Sequence, residues 1–567
     1  MKSQARVLPQ LLVVWVLFCG AAGGEEMPGQ AAIATAHPLA TQAGLEIFRQ
    51  GGNAFDAAVA VSATLAVVEP YSSGLGGGGF WLLHRVSDGR QVMIDGRETA
   101  PVAAKNTLYL DENGNVKPGA TLNGPLAAAI PGLPAGLVHL NEKYGRLTLA
   151  QNLGPAIRYA REGFPASEQY RRMAGFRLET LRASKDAATI FLQNNEMPPQ
   201  GHNIVQTDLA HTLTLIAQQG TAGFYRGKVA EQLVAGVRKH GGIWTLNDLS
   251  DYHIVEREPV VARYHDIQVI SAAPPSSGGL VLVQILKMLE GFDLEHFDAI
   301  TRKHVIIEAM RRAWRDRAAY LGDPDFVTIP TDRLLDRDYI EGLAASIHLD
   351  RATPSEELGM ITANDPVGAD TSHFSVLDSE GNRVAATLSI NLPFGSGFVA
   401  AGTGVLLNDE MDDFAVEPMH PNVYGLVGDE ANSIAPGKRP LSSMTPTFLE
   451  TEDRVGILGT PGGSRIISMV LLGILDFAAG NLPQSWVSVP RFHHQYLPDE
   501  VKFEQGGLTG PEQAGLQNLG HRLKEENRNY GNMQAILWYK PKNIVFAASD
   551  PRGEGEAVVS TIIRTDK

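Results

Sequence analysis

Apolar positions along the chain change period repeatedly from about Ala31 onward. Helical spacing predicts a helix over residues 38–50, broken by Gly51-Gly52. Residues 54–67 predict a second helix, rich in small residues and suited to close packing in an interior. Residues 80–86 and 92–94 read as strands, the latter running into Asp95-Gly96-Arg97-Glu98. Helical patterns fill much of residues 149–241 and again 304–321. The Pro275-Ser276-Ser277-Gly278-Gly279 cluster reads as a turn between an apolar strand, 267–270, and an apolar helix. No internal repeat or low-complexity linker interrupts this order.

The clearest pattern lies further on. Residues 372–377 and 383–390 are strand-like and flank the turn Asp378-Ser379-Glu380-Gly381-Asn382. Folded about Glu380, this hairpin sets Thr371 opposite Ser389. Residues two apart share a face of a strand, so Asn391 falls on the same side. A one-residue slip would invert the faces. Three polar groups thus converge at one hairpin end.

Composition narrows the class. At 567 residues the chain exceeds a usual single core, so either two domains or one large layered body is expected. With 44% hydrophobic and 20% charged residues, it reads as an ordinary soluble globular protein. A formal net charge of −15 and the lack of any basic run argue against nucleic acid or an anionic membrane as partner. The N-terminus reads as a secretion signal over residues 1–23. Lys2 and Arg6 precede an apolar core over residues 11–18, and the small residues Gly20-Ala21-Ala22-Gly23 suit cleavage near Ala22. That stretch is too short to span a bilayer, and no later one is apolar enough. The single cysteine, Cys19, lies inside it, and Phe18 is too bulky for good lipid attachment there. The expected mature protein is exported, periplasmic or extracellular, and free of disulfide or thiol chemistry.

Asp370-Thr371-Ser372-His373 reads as a self-cleavage junction that leaves Thr371 as a new N-terminus. A threonine hydroxyl needs an adjacent base, and a chain-terminal threonine carries one as its own α-amine. Around it stand Gly51-Gly52-Asn53-Ala54, Val68-Glu69-Pro70, Gly76-Gly77-Gly78-Gly79-Phe80 and Gly96-Arg97-Glu98-Thr99-Ala100-Pro101. Further on come Asn408-Asp409-Glu410-Met411-Asp412-Asp413-Phe414, Pro440-Leu441-Ser442-Ser443-Met444 and Pro461-Gly462-Gly463-Ser464. With these motifs, from about Ala31 to the C-terminus, the chain resembles the γ-glutamyltransferases (glutathione hydrolases) of the N-terminal-nucleophile hydrolase superfamily.

The resemblance implies an α+β fold, a four-layer αββα sandwich. It also implies a precursor cleaved between Asp370 and Thr371 into a large subunit, residues 24–370, and a small one, residues 371–567, which pair as a heterodimer. Thr371 would attack γ-glutamyl compounds such as glutathione, and the acyl group would pass to water or to an amino-acid or dipeptide acceptor. The same attack on the Asp370 carbonyl would cleave the precursor. Ser389 would orient the Thr371 hydroxyl, and the backbone N–H groups of Gly462 and Gly463 would form the oxyanion hole. A glutamyl head group carries both charges. Arg97 would grip its carboxylate through a planar fork, with Ser442 and Ser443 as neutral donors. Asn391, Glu410 and Asp413 would accept its ammonium. The i, i+3 spacing of the two acids lets both reach one point if the segment turns. Residues 417–436 resemble a lid loop, with Tyr424 shielding the acyl-enzyme.

No catalytic metal or organic cofactor is implied. Gly74, Gly76 and Gly79 fit a dinucleotide pattern, but a strand follows where that site needs a helix. His493 and His494 are adjacent on a strand and point to opposite faces, a poor metal pair, and His373 reads as structural. Two other readings stay open here: an acylase of the same fold that removes glutaryl-like side chains, and a catalytically dead extracellular binding protein.

Overall fold

A computed structural model describes residues 27–359, 371–417 and 420–561. The expected signal segment 1–23 with Cys19, and Asp370 of the expected cleavage junction, lie outside the described residues.

The first helices follow from composition. Pro38–Arg49 starts on a proline at its first position, where a missing N–H costs nothing. Ala54–Val68 has every residue buried, as expected of a helix with no polar face. It opens on a reciprocal cap: the Asn53 side chain accepts from the Phe55 and Asp56 N–H groups, and the Asp56 carboxylate accepts from Asn53 N–H. The predicted helix over 304–321 starts earlier, as Ala299–Tyr320, because Asp298 caps it by accepting from Ile300 and Thr301 N–H.

The turn predicted over 275–279 is shorter than expected, since Gly278 already begins the helix Gly278–Leu289. Both glycines serve close approach. A Cβ on Gly278 would sit 2.4 Å from Thr445 Oγ1, and one on Gly279 would sit 2.3 Å from the Ala272 carbonyl oxygen.

Two sheets organise the chain into an α+β fold. The larger runs, in spatial order, Glu556–Ser560, Ala31–Thr35, Ser372–Leu377, Arg383–Ser389, Gly78–Arg85, Arg90–Gly96 and Val255–Arg257. The second runs Ile544–Ser549, Gln534–Tyr539, Arg454–Gly459, Thr447–Glu450, Ile267–Ser271 and Val260–Tyr264. Pairing within both is antiparallel. Strand residues of the larger sheet alternate between two cores. Ile33, Trp81, Leu83 and Val376 join Ala54–Val68 in one. Ala32, Phe80, Leu82 and Leu377 join Ile457 and Phe448 of the second sheet in the other. The larger sheet is thus buried on both faces.

The hairpin has the expected register: Leu377 pairs with Arg383, and pairing runs regularly to Ser372 with Leu388. Its turn is held by Asp378, whose carboxylate accepts from Glu380 and Asn382 N–H and from the Asn382 amide. Gly381 supplies φ +96° there.

Candidate active site

Continuing the register one step beyond Ser372 and Leu388 brings Thr371 beside Ser389. Thr371 is buried at 5% exposure, a sheltered position for a reacting group. Ser372 turns the other way, and its hydroxyl donates to the Glu69 carboxylate at 2.6 Å. The strand ends at Ser389, and Asn391 adopts φ +73°. Asn391 therefore reaches the same side through a turn, and not by the alternation of a continued strand that its spacing predicts. The Ser389 hydroxyl accepts from Asn391 N–H at 2.8 Å, and the Asn391 amide donates to the Asp409 carbonyl.

One cavity collects most of the residues singled out in the sequence. Thr371, Ser389 and Asn391 line one side of it, Arg97 and Asp413 another. Ser442, Ser443, Gly463 and Tyr424 complete it. Gly462 lines an adjoining cleft that Thr371 also borders.

The charges are concentrated on Arg97. Residues Glu410–Asp413 form a 3-10 turn, so the two acids do converge, and they converge on the guanidinium. Arg97 donates to Glu410 at 2.6 Å, to Asp413 at 2.5 Å and to the Pro440 carbonyl at 3.1 Å, with Glu98 at 3.5 Å. Burial works against the Arg97 charge, but the carboxylates of Glu410, Asp413 and Glu98 more than offset it and raise its pKa. Burial pushes Glu410 above the usual carboxylate range, opposed first by Arg97. Glu98 is raised further by burial and by Glu410. One oxygen of Glu410, Oε1, is buried with no hydrogen-bond partner, an unmet acceptor of the kind that normally finds a donor.

The serines are held from behind. Ser442 Oγ accepts from Met444 N–H at 3.1 Å, and Ser443 Oγ accepts from Arg317 at 3.3 Å. With those lone pairs engaged, each hydroxyl hydrogen is available to donate elsewhere. Arg317 also donates to Ser277. Its place behind Ser443 could not be read from the sequence, where it is one of several cations on a long helix. Glu69 has no role in the sequence reading either. It stands within the Val68-Glu69-Pro70 motif, but only the fold brings it onto Ser372.

Gly462 and Gly463 have φ +146° and +57° and precede the buried helix Ile466–Ala478. N–H groups at a helix start are unsatisfied and favour negative charge. The Tyr424 ring covers Gly463 so closely that a Cβ there would meet Cδ1 at 2.7 Å. The Tyr424 hydroxyl donates to the Asn391 carbonyl at 2.8 Å. Gln495 donates to the carbonyls of Tyr424 and Gly425 and fixes the loop from below.

The bypassed motifs keep structural surroundings. The Gly-rich loop leads into the strand Gly78–Arg85. Burial pushes His373 down to about 3, and the ring hydrogen-bonds Thr387. His493 bonds Ser468 and Gln495, whereas His494 bonds Asp499. Among the described residues one group could offer three metal-ligand atoms, His304, Glu308 and His521. Arg311 and Arg312 already supply the counter-charge on Glu308, which disfavours a further cation there.

A family model described as "Gamma-glutamyltranspeptidase" matches residues 40–560. The chain is 41% identical over 533 residues to the glutathione hydrolase proenzyme of Pseudomonas sp. (strain A14), covering 92% of both. It is 40% identical over 530 residues to the glutathione hydrolase proenzyme of Escherichia coli (strain K12), covering 92% of this chain and 90% of that one. Among solved structures, the cephalosporin acylase from Bacillus halodurans superposes with a TM-score of 0.81 at 27% identity, covering 98% of each chain.

Proposed function

The chain belongs to the γ-glutamyltranspeptidase family, and on that premise we propose how the Thr371 cavity carries out the family's chemistry here. The protein is a γ-glutamyltransferase and glutathione hydrolase, made as a proenzyme. Thr371 is its nucleophile, freed by cleavage after Asp370. The α-amine of Thr371 takes the hydroxyl proton as Oγ attacks the γ-carbonyl. The oxyanion forms against the N–H groups of Gly462 and Gly463. Collapse breaks the amide bond, the proton passes to the departing nitrogen, and a γ-glutamyl ester remains on Thr371. Water, or the amine of an amino acid or dipeptide, then attacks that ester.

The observation that carries this reading is the charge cluster on Arg97, which borders the cavity that also holds Thr371. It offers both signs to a zwitterionic head group. The substrate carboxylate takes the Arg97 fork with Ser442 and Ser443. Its ammonium takes Asp413, the Asn391 side chain and the unsatisfied oxygen of Glu410. A glutaryl group lacks that ammonium and would add a carboxylate beside Glu410 and Asp413 without compensation, which like-charge repulsion disfavours. Ser389 orients the nucleophile, and Tyr424 shuts the ester away from bulk water.

The remaining organisation accords with the same reading. Residues 1–23 direct export to the periplasm or beyond. Residues 24–370 and 371–567 pair as large and small subunits, arranged as a four-layer αββα sandwich. Among the described residues no helix is long and apolar enough to cross a membrane.

The decisive test is Thr371→Ala, followed by intact mass and denaturing electrophoresis. Wild-type protein should give two chains, the smaller beginning at Thr371, and should cleave γ-glutamyl-p-nitroanilide well ahead of glutaryl-p-nitroanilide. The variant should stay as one chain without activity. An uncut variant that turns over at the wild-type rate would remove Thr371 from the mechanism.

A further inference from the structure

One buried cation behind the site has no ionic partner. Arg317 lies on the helix Ala299–Tyr320, is buried, and forms no ion pair among the described residues. Its guanidinium donates instead to two hydroxyls, Ser277 at 2.9 Å and Ser443 at 3.3 Å. We propose that Arg317 is a positioning residue that makes the cavity selective for an anionic head group, its charge acting on the substrate α-carboxylate through Ser443. The inference rests on the reading of the Arg97 cavity as the glutamyl site.

Charge gives the first reason. An uncompensated buried cation is costly, so buried charges are normally paired. Arg311, Arg312, Arg439 and Arg491, buried like Arg317, each lie within ion-pair distance of a carboxylate. Arg177, which has none, is engaged by the carbonyls of Leu122 and Gly395. Arg317 meets only neutral hydroxyls. Burial lowers its pKa to about 10, opposed by Asp413, so it stays a cation at neutral pH. Arg97, in contrast, already faces Glu410 and Asp413. With Glu98 held neutral by burial and those two acids ionised, the Arg97 cluster carries one negative charge in excess. A zwitterionic head group leaves that excess unchanged. Arg317 supplies the balancing positive charge.

Geometry gives the second. Ser277, whose hydroxyl accepts from Arg317 Nε, sends both its N–H and that hydroxyl to the Ser442 carbonyl, at 2.8 and 2.7 Å. Beside it the Ser276 hydroxyl donates to the Met444 carbonyl at 2.6 Å. The turn carrying Ser442 and Ser443 is thus docked on the turn that precedes Gly278–Leu289, and Arg317 bonds a hydroxyl on each side of that junction. Because Ser443 accepts from the guanidinium, its own hydrogen is free to donate into the cavity that Ser443 lines. A carboxylate accepting that hydrogen stands one hydroxyl away from the cation, in a chain whose members polarise one another.

The test separates charge from shape with two donors: γ-glutamyl-p-nitroanilide, and the same compound with a neutral carboxamide in place of its α-carboxylate. Wild-type enzyme should favour the carboxylate donor. Arg317→Gln keeps a hydrogen-bond donor for Ser443 and removes the charge. Its KM for the carboxylate donor should rise about tenfold with a smaller change in kcat, the loss of one charge-assisted contact, while KM for the amide donor stays near the wild-type value. Arg317→Lys keeps the charge and should restore most of the ratio between the two KM values. Should Arg317→Gln not fold, Arg317→Met removes the same charge and carries the same comparison. An unchanged ratio in the neutral variant, equal loss on both donors, or a neutral variant that folds but stays uncut overturns the proposal. Wild-type protein that turns over both donors equally would instead overturn the glutamyl reading of the cavity, and protein inert toward both would overturn the assignment of Thr371.

Discussion

Arg97 carries more of the site's electrostatics than any other side chain. Three carboxylates lie within 3.5 Å of its guanidinium, and its Nε is tied to the Pro440 carbonyl. A buried cation so placed is a fixed fork, and a lysine would supply one point charge in its stead. Arg97→Lys should therefore raise KM for γ-glutamyl-p-nitroanilide about tenfold or more with a smaller change in kcat, because the contact is made in ground and transition states alike. Steady-state kinetics with an unchanged KM would count against the carboxylate contact. The residue type and its Gly96-Arg97-Glu98 setting were readable in the sequence. Its pairing with Glu410 and Asp413, more than 300 positions away, was not, since no local pattern links distant charges.

Short elements place the rest of the chemistry. The hairpin could be registered in advance because its turn residues leave little choice. Asp378 binds the backbone across the turn, and Gly381 takes the left-handed conformation. The 3-10 turn Glu410–Asp413 was foreseeable only as a spacing. What the acids turn toward is set by Asn408, whose side chain accepts from Glu410 N–H and Ala129 N–H and so fixes the segment against a distant loop. The loop bearing Tyr424 is anchored by the tyrosine hydroxyl on Asn391, by the Gln495 amide beneath, and by Asn422 on Asp413 and Val423 N–H on Asp412. Tyr424→Phe removes the first. A hydrogen bond of this kind contributes about 1 kcal/mol, so the loop should open more often and the donor KM should rise roughly fivefold. Equal KM for variant and wild type would show that Tyr424 closes the cavity without that bond.

The protein as a whole tolerates an unusual set of buried acids around its centre, and pH reveals it. Burial pushes Glu69 up to about 7 from an ordinary 4.5, with Ser372 and Tyr71 opposing and Glu554 adding to the rise. Below pH 4.5 the group is protonated folded and unfolded alike. Between 4.5 and 7 the unfolded chain releases the proton and the folded one keeps it, so this group's contribution to stability falls as pH rises through that window. Glu69→Gln, which keeps an acceptor for Ser372, removes the loss. Its Tm should gain on wild type from pH 4.5 to 7 and hold the gain above, toward a limit on the order of 3 kcal/mol. A Tm difference that stays flat across that range would refute the shift. The amino-acid order by itself determined the alternation of helices and strands, the hairpin register, and the candidate chemistry of a threonine followed by glycine, serine and acidic motifs. Those are local matters, settled by period, turn geometry and side-chain type. Only the tertiary structure decided that most of these motifs share one cavity, that Arg97 is bound by the acids proposed to receive an ammonium, and that Thr371 borders a second cleft. Burial and long-range pairing fix such features, and both depend on which distant surfaces the sheets bring together.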